Sequence, residues 1–456
     1  LGHMGRYRVE LDLATSPTLR QFYSFHWILA GNLGVDLLIL PLGRVFGLEP
    51  AVKLIAIAVP VIGAIGLLST AREVHGALPP TAPAALAFVL GFPLAFGFIN
   101  FSLGMSLALC AFALCHRLAG RASGVGMSLL FVVISGVLWL CHVYGWALFV
   151  VLVVGSELPQ KWDARLWWMK FIRLSPLSVP LLPMLLWRSG ESSATGRNWF
   201  NFSQKIDWIE KTLEDHWRTP DLLMVVAASA LLLFALVSKR LEFDRRLKTP
   251  MMMLIVAFLI IPEQLLGSSY ADARLLPYIF AIGFIAIKPV RASLIAGCAT
   301  LLFSAKIATF AAGLWFDSRD IDDALVAVTR LPIGARVASI ATLPCDGWRL
   351  PKLSHIGGLV IVRKQGFSNE QWVGPGLNPL RTTPAYSGPM TRDWSELAKP
   401  PSCAMGWPLV SEKLSEVPRT TFDYIWIIDG GHPPVPGAIL VGVFGRTSLY
   451  KLISDG

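Results

Sequence analysis

Ten apolar runs separated by short connections constrain this chain more than any other feature. They are Ala51–Thr70, Ala82–Phe98, Ile99–His116, Gly124–Cys141, Val143–Glu157, Leu174–Arg188, Asp221–Ser238, Pro250–Leu266, Leu275–Ile287 and Ala292–Phe316. Backbone in lipid must satisfy its own N–H and C=O groups, so such runs read as bilayer-crossing helices, each needing about 20 residues. Several are shorter. Val143–Glu157 and Leu174–Arg188, the latter interrupted by Pro176, Pro180 and Pro183, fit kinked, re-entrant or tilted segments covered by neighbours. The composition agrees: 54% of the 456 residues are hydrophobic and 15% charged, against about a quarter charged in soluble domains. The expected fold is a mainly α, polytopic transmembrane protein of about ten spans with a C-terminal soluble α/β domain. Its expected parts are an outer loop with interfacial helices over 1–50, a helical membrane domain over 51–316 and a periplasmic domain over 317–456.

A net charge of +10 raises the question of a nucleic-acid partner. From Asp317 onward, however, 14 Lys and Arg face 13 Asp and Glu, so the excess belongs to the hydrophobic part. There it sits in alternate short loops: Arg72; Arg117 and Arg121; Lys161, Arg165, Lys170 and Arg173; Lys239, Arg240, Arg245, Arg246 and Lys248; Lys288 and Arg291. Such a bias records cytoplasmic loops, which excludes nucleic acid as the reason for the charge. The connections Phe98–Asn100, Cys141–Tyr144 and Gly267–Arg274 are nearly free of basic residues. Arg188–Pro220 offsets its cations with Glu191, Asp207, Glu210, Glu214 and Asp215. With ten spans, both ends of the chain lie outside the cytoplasm.

Phe22–Pro50 fits the same parity if it does not cross. Trp27–Gly47 is apolar but carries Asn32, Asp36 and Arg44, costly groups at mid-bilayer. It reads as one or two amphipathic helices at the outer interface, anchored by Phe22, Tyr23 and Trp27. After Phe316 a helix is expected over Ile321–Arg330. Pro332-x-Gly334-x-Arg336 then leads into β-like runs at Val337–Leu343, Gly358–Val362, Tyr424–Asp429, Ala438–Phe444 and Ser448–Ile453, with long loops over Gly366–Pro418. Of six cysteines only Cys345 and Cys403 fall in this soluble region, and they are expected to form a disulfide.

No P-loop, GxGxxG, HExxH, GxSxG or Cys/His metal spacing occurs. No cofactor is therefore indicated, and a divalent metal requirement is left open. Three polar clusters at the outer face remain. The first is Gly2–Asp12, where Arg6 and Arg8 could hold a phosphate while Glu10 or Asp12 acts as base; its bland reading is a solvated helix face. The second is Asn32 and Asp36 within an apolar stretch, functional by default in a membrane unless Asp36 simply caps a helix. The third joins Glu263, Tyr270, Asp272 and Arg274 to His142. Arg274 there could clamp an anionic headgroup, or pair locally with Asp272. His142, beside Trp139, Tyr144 and Trp146, reads more simply as part of an interfacial aromatic belt.

An extramembrane charged helix, an aromatic interfacial helix ending in Leu42-Gly43-Arg44-Val45-Phe46-Gly47-Leu48 and a span from Ala51 resemble the first outer loop of GT-C superfamily glycosyltransferases. Gly97–Gly104, Asp272–Pro277 and Phe422–Asp429 are similar to stretches of uncharacterised bacterial membrane proteins related to that superfamily. The resemblance implies an enzyme of the bacterial inner membrane. It would move a sugar from a polyprenyl phosphate donor to an extracytoplasmic glycan or lipid acceptor. It further implies a catalytic acid early in the first outer loop, after a first span. The chain starts at Leu1 within that loop, so the comparison puts that span, and the acid, just upstream, with Glu10 and Asp12 the nearest acids present. Arg6, Arg8, Asn32, Asp36, His142, Glu263, Tyr270, Asp272 and Arg274 would line one substrate cavity. A transporter or lipid flippase is the alternative, but no internal repeat is visible, and Lys306 apart, the charges lie toward span ends. A non-catalytic assembly or sensor protein would need fewer spans.

Overall fold

The structure, a computed structural model, describes all residues except 1, 120–123, 160, 162, 189–195, 266–267, 372, 374–378, 389, 391–395 and 454–456. Arg121, Glu191, Leu266 and Gly267, used above to bound spans or assign sides, lie outside the described residues. The chain is mostly helical, with strands gathered toward its C-terminus. Among the described residues, Leu48–His75, Ile99–Leu118, Gly124–Cys141, Arg218–Val237 and Ser293–Thr329 are long and apolar enough to cross a membrane. Val143–Glu157 and Leu276–Ala286 are shorter helices within the expected runs, whereas the helix Arg245–Ile260 starts five residues before the expected run Pro250–Leu266 and ends at Ile260.

Two runs are broken. Ala82–Phe98, expected as one span, divides into Ala82–Ala87, a 3-10 turn at Phe88–Leu90 and Phe92–Phe96. Gly91 is extended and Pro93 has no N–H to continue a helix, which puts a new start there. Leu174–Arg188 likewise divides at its prolines into a 3-10 turn, Ser175–Ser178, and the helix Leu181–Arg188. The expected helix Ile321–Arg330 is no separate element but the end of the 37-residue helix Ser293–Thr329.

The chain forms two compact units. One holds Leu29–Val35 and Leu54–Ala311. In it the Ile99–Leu118 and Val143–Glu157 helices cross where Gly104 meets Gly145. A Cβ on Gly145 would stand 2.6 Å from the Gly104 backbone, so small residues here allow close helix approach. The basic connections gather at one end of this unit. Arg246 bonds Asp244, approaches His116 Nε2 at 3.4 Å and donates to the Val74 carbonyl; Arg245 donates to the Leu158 carbonyl, and Lys288 pairs with Glu242 at 2.8 Å. The base-poor connections meet each other instead: Arg274 stacks on Phe98, and the Tyr144 hydroxyl donates to the Ala271 carbonyl at 3.1 Å.

The other unit holds Leu1–Ile28, Asp36–Lys53 and Ala312–Gly456. Its strands are β1 (Tyr23–Phe25), β2 (Arg336–Thr342), β3 (Phe367–Ser368), β4 (Leu380–Thr382), β5 (Glu396–Ala398), β6 (Tyr424–Ile428), β7 (Ala438–Phe444) and β8 (Thr447–Leu452). The main sheet runs β3-β2-β6-β8-β7, with β5 also on β2, parallel around β2 and antiparallel beyond β6. β1 pairs antiparallel with β4. Phe22 and Tyr23 are therefore not interfacial anchors: they pack in the core of this unit with Phe367, Ile340, Ile425 and Ile427, while Trp27 is exposed. Of Phe22–Pro50, residues Gly34–Phe46 are helical and continue almost directly into Leu48–His75, whereas Tyr23–Phe25 is strand. Gly358–Val362 is also corrected, since Ile356–Gly358 is a 3-10 turn and Leu359–Lys364 a helix. Four consecutive buried apolar residues, Leu359–Val362, fit a helix buried all round as well as a buried strand, and sequence period cannot separate these. The expected loop Gly366–Pro418 carries β3, β4, β5 and the Val410–Glu416 helix. Cys345 and Cys403 are joined, with Cα atoms 5.6 Å apart and 58 residues of separation. A closure of that length stabilises by about 4 kcal/mol in the chain-entropy treatment.

Candidate functional site

In the sheet-bearing unit the polar cluster is built on the Met4–Asp12 helix. Its residues at spacing three to four share one face, which puts Arg6 and Glu10 together. Arg6 is buried and grips Asp36 with two nitrogens: Nε lies 2.8 Å from Oδ1 and Nη2 donates to Oδ2 at 2.8 Å. Asp36 is fully buried in the first turn of the Gly34–Phe46 helix, so it neither faces headgroup water nor acts merely as a cap. Both Glu10 carboxyl oxygens are buried with no hydrogen-bond donor among the described residues. Burial, and then the Asp36 charge, push its pKa up to about 8, with Arg6 pulling the other way. Arg8 and Asp12, one turn apart, form a partly exposed pair at 2.5 Å. They have the geometry of the solvated helix face. The helix start packs tightly on a buried polar run: a Cβ on Gly5 would stand 2.7 Å from the Gln371 amide, and His355 Nδ1 lies 3.4 Å from the buried Glu370.

The helical unit carries the remaining expected residues. Arg274 is buried in the 3-10 turn Ala273–Leu275, with its guanidinium 3.6 Å from the Phe98 ring centre and 5.6 Å from that of Phe101. Nη2 donates to the Ser269 carbonyl at 2.6 Å, Nε has no partner, and no carboxylate pairs with this arginine among the described residues. It does not pair with Asp272. That carboxylate caps the turn through the Ala273 N–H and takes Lys205 at 2.9 Å. Lys205 is further satisfied by the Phe258 and Ile261 carbonyls. Tyr270, in the left-handed region at φ 59°, stands among Phe92, Phe96 and Trp208. Glu263 accepts from Asn198 at 2.6 Å. His142 is buried, not set in an interfacial belt, and its Nδ1 accepts the Tyr144 N–H, capping the Val143–Glu157 helix. The Asn32 carbonyl accepts from Asn100, whose Oδ1 takes the Val35 N–H, so a residue outside the expected set holds this turn.

Sequence reasoning missed the Phe202–Asp221 segment. Lys205 closes the Asp272 pair, Lys211 lies over Trp208, which itself abuts Tyr270, and Glu214, Asp215 and Asp221 are all buried. Lys306 is held by Asp221 at 3.5 Å and by the Leu213 carbonyl at 2.9 Å. The available signal was a charge-balanced run beside apolar spans, which the sequence uses only to assign the side of that connection. Thus the structure groups Arg6, Arg8, Glu10, Asp12 and Asp36 in one unit, and Asn32, His142, Glu263, Tyr270, Asp272 and Arg274 in the other. Among the described residues no three His, Cys, Asp or Glu side chains gather as metal ligands would.

No protein-family model matches the chain, and no curated protein sequence does. Its structure is similar to that of ArnT from Cupriavidus metallidurans bound to undecaprenyl phosphate, with TM-score 0.52 and 12% identity over 99% of this chain and 94% of that one. The apo state of the same protein superposes with TM-score 0.47 at 13% identity, over 98% of this chain and 92% of that one. The fold expected from the resemblance in the sequence is thus the fold found, at an identity that speaks for architecture alone.

Proposed function

We propose that this chain is a membrane glycosyltransferase that moves a sugar from a polyprenyl phosphate donor to a glycan or lipid acceptor outside the cytoplasm. The observation that carries the reading is Arg274, a buried guanidinium held on an aromatic face with no acid paired to it among the described residues. Such a group is prepared for an anion, and the fold is shared with a protein seen with a polyprenyl phosphate. In the reaction the acceptor oxygen forms a bond to the sugar's anomeric carbon as the bond from that carbon to the phosphate oxygen breaks. The acceptor's proton goes to a carboxylate base, a role for which Glu10 is the candidate within the sheet-bearing unit. Within the helical unit, Arg274 is the candidate for the group that faces the charge growing on the departing lipid phosphate. Lys306, the charge inside an apolar run, is tied to Asp221 and a loop carbonyl, which weakens the transporter reading.

The test is transfer itself. The full chain in vesicles, given a polyprenyl phosphate carrying a radiolabelled sugar and an envelope lipid or glycan extract, should move label to the acceptor and release polyprenyl phosphate in equal amount. Label that crosses the bilayer unbonded, with no product formed, refutes the enzyme and establishes the transporter.

For sidedness, the basic end of the helical unit goes to the cytoplasm of a bacterial inner membrane and the region after Phe316 to the oxidising side, where a Cys345–Cys403 bond persists. In intact cells an impermeant thiol reagent should label Ser415→Cys and leave Lys239→Cys untouched. The opposite pattern inverts the layout.

A further inference from the structure

The helical unit contains a cavity that the proposed reaction does not use. It has a volume of about 470 Å³ and lies along the Val143–Glu157 helix, walled by Trp146, Val150, Val154, Trp167, Phe171 and Leu177. One end is apolar, closed where the Trp146 indole N–H donates to the Leu177 carbonyl at 2.8 Å. The other end is charged: the Glu157 carboxylate takes both Lys170 and, at 3.5 Å, Arg173. One acid shared between two cations leaves a unit of positive charge at the mouth. Arg245, bonded to the carbonyl of the lining residue Leu158, adds another.

The flanking helix Ala164–Leu174 has no buried residue. Asp163 caps its start through the Arg165 and Leu166 N–H groups. Arg165, Lys170 and Arg173 occupy one arc of it, with Trp168, Phe171 and Ile172 exposed on the other. A helix of that pattern lies in the plane of a membrane interface with its cations toward headgroups. From Trp146 to Glu157 the cavity follows 12 residues of helix, whose 11 steps span about 16 Å at the helical rise. That matches one leaflet of a hydrocarbon core of about 30 Å. We propose that this cavity holds an acyl chain of an anionic glycerophospholipid from the leaflet at this end, its phosphate taken by Lys170 and Arg173. The apolar depth recognises the chain, and the unbalanced charge selects an anionic headgroup over a zwitterionic one.

Native mass spectrometry of the full chain, released from bilayer discs of phosphatidylcholine with a minority of phosphatidylglycerol, tests this directly. The wild type should retain phosphatidylglycerol at least about fivefold over its share of the bilayer, since each cation near an anionic surface contributes about 1 kcal/mol. Lys170→Ala with Arg173→Ala should bring that enrichment to parity. Val154→Trp, which fills the cavity and leaves the mouth intact, should lower retention of both lipids without lowering the melting temperature. Lys239→Ala with Arg240→Ala, neither of which lines the cavity, should change nothing. Parity in the wild type, enrichment that survives the Lys170/Arg173 pair, or retention unmoved by Val154→Trp overturns the proposal. So does displacement of the lipid by inorganic phosphate alone, or recovery of a polyprenyl phosphate in its place.

Discussion

Replacing Arg274 by alanine is expected to lower sugar transfer by about 10²–10³-fold, the usual loss when one preorganised donor to developing charge is removed. The guanidinium stacks on Phe98 at 3.6 Å and is buried, so its position is fixed before substrate arrives and needs no reorganisation during the reaction. Because leaving-group charge is largest in the transition state, the loss should fall on kcat with KM little changed. Lysine at this position keeps a charge but loses the fork and the stack, so activity between wild type and alanine is expected. Asp272→Asn provides the contrast. It leaves Lys205 buried beside a neutral partner, which costs about 3–5 kcal/mol where a buried pair is broken. That variant should lose melting temperature, whereas Arg274→Ala should melt close to wild type. Wild-type turnover in Arg274→Ala would remove this residue from the mechanism.

What could be read from the sequence divides along physical lines. Long apolar runs carry their own length and period, so Leu48–His75, Ile99–Leu118 and Gly124–Cys141 stand where hydropathy put them. Breaks such as the one at Gly91–Pro93 depend on where a helix restarts, and within a run of uniform hydropathy only Gly and Pro mark it. In the sheet, β2, β6, β7 and β8 were visible as β-branched runs bounded by turn residues, while β1, β3, β4 and β5 have three residues or fewer and offer no period to detect. Phe22 and Tyr23 read as anchors in the sequence because an aromatic pair beside an apolar stretch looks alike whether it meets lipid or a β-sheet core. Only the pairing of β1 with β4, over 350 residues away in sequence, decides it. The same distance rule hid the partners of the candidate site. Arg274 and Asp272 are two residues apart and invite a local pair, yet Lys205, 67 residues earlier, takes the acid and leaves the arginine for other chemistry. Arg6 and Asp36 were both singled out, but their bidentate contact joins a polar helix to an apolar one and has no signature in either.

Glu10 gives the second large effect, because its carboxyl is set up to hold a proton until well above the ordinary carboxylate range. Burial is the main cause and Asp36 the next, together raising its pKa to about 8 although Arg6 opposes them. A base must be unprotonated to accept the acceptor hydroxyl's proton, so transfer at saturating donor should rise with pH and reach half its plateau near 8. Glu10→Gln should reduce the plateau by about 10²–10⁴-fold and abolish the rise. Asp36→Asn removes one of the two charge-raising causes, so the midpoint should move to lower pH; a titrating acceptor or donor would not respond to that change. Stability runs the opposite way to activity. Between the ordinary value of 4.5 and about 8, the folded chain keeps a proton on Glu10 that the unfolded chain has lost. Folding is therefore favoured at the acid end of that window and weakens as pH rises through it. Thermal melting followed across the window should show wild type losing melting temperature with rising pH and Glu10→Gln losing less, because glutamine has no proton to surrender. A pH-rate midpoint that stays put in Asp36→Asn would assign the titration to another group. Wild-type turnover in Glu10→Gln would show that the base lies elsewhere, with Asp12 the next residue to replace.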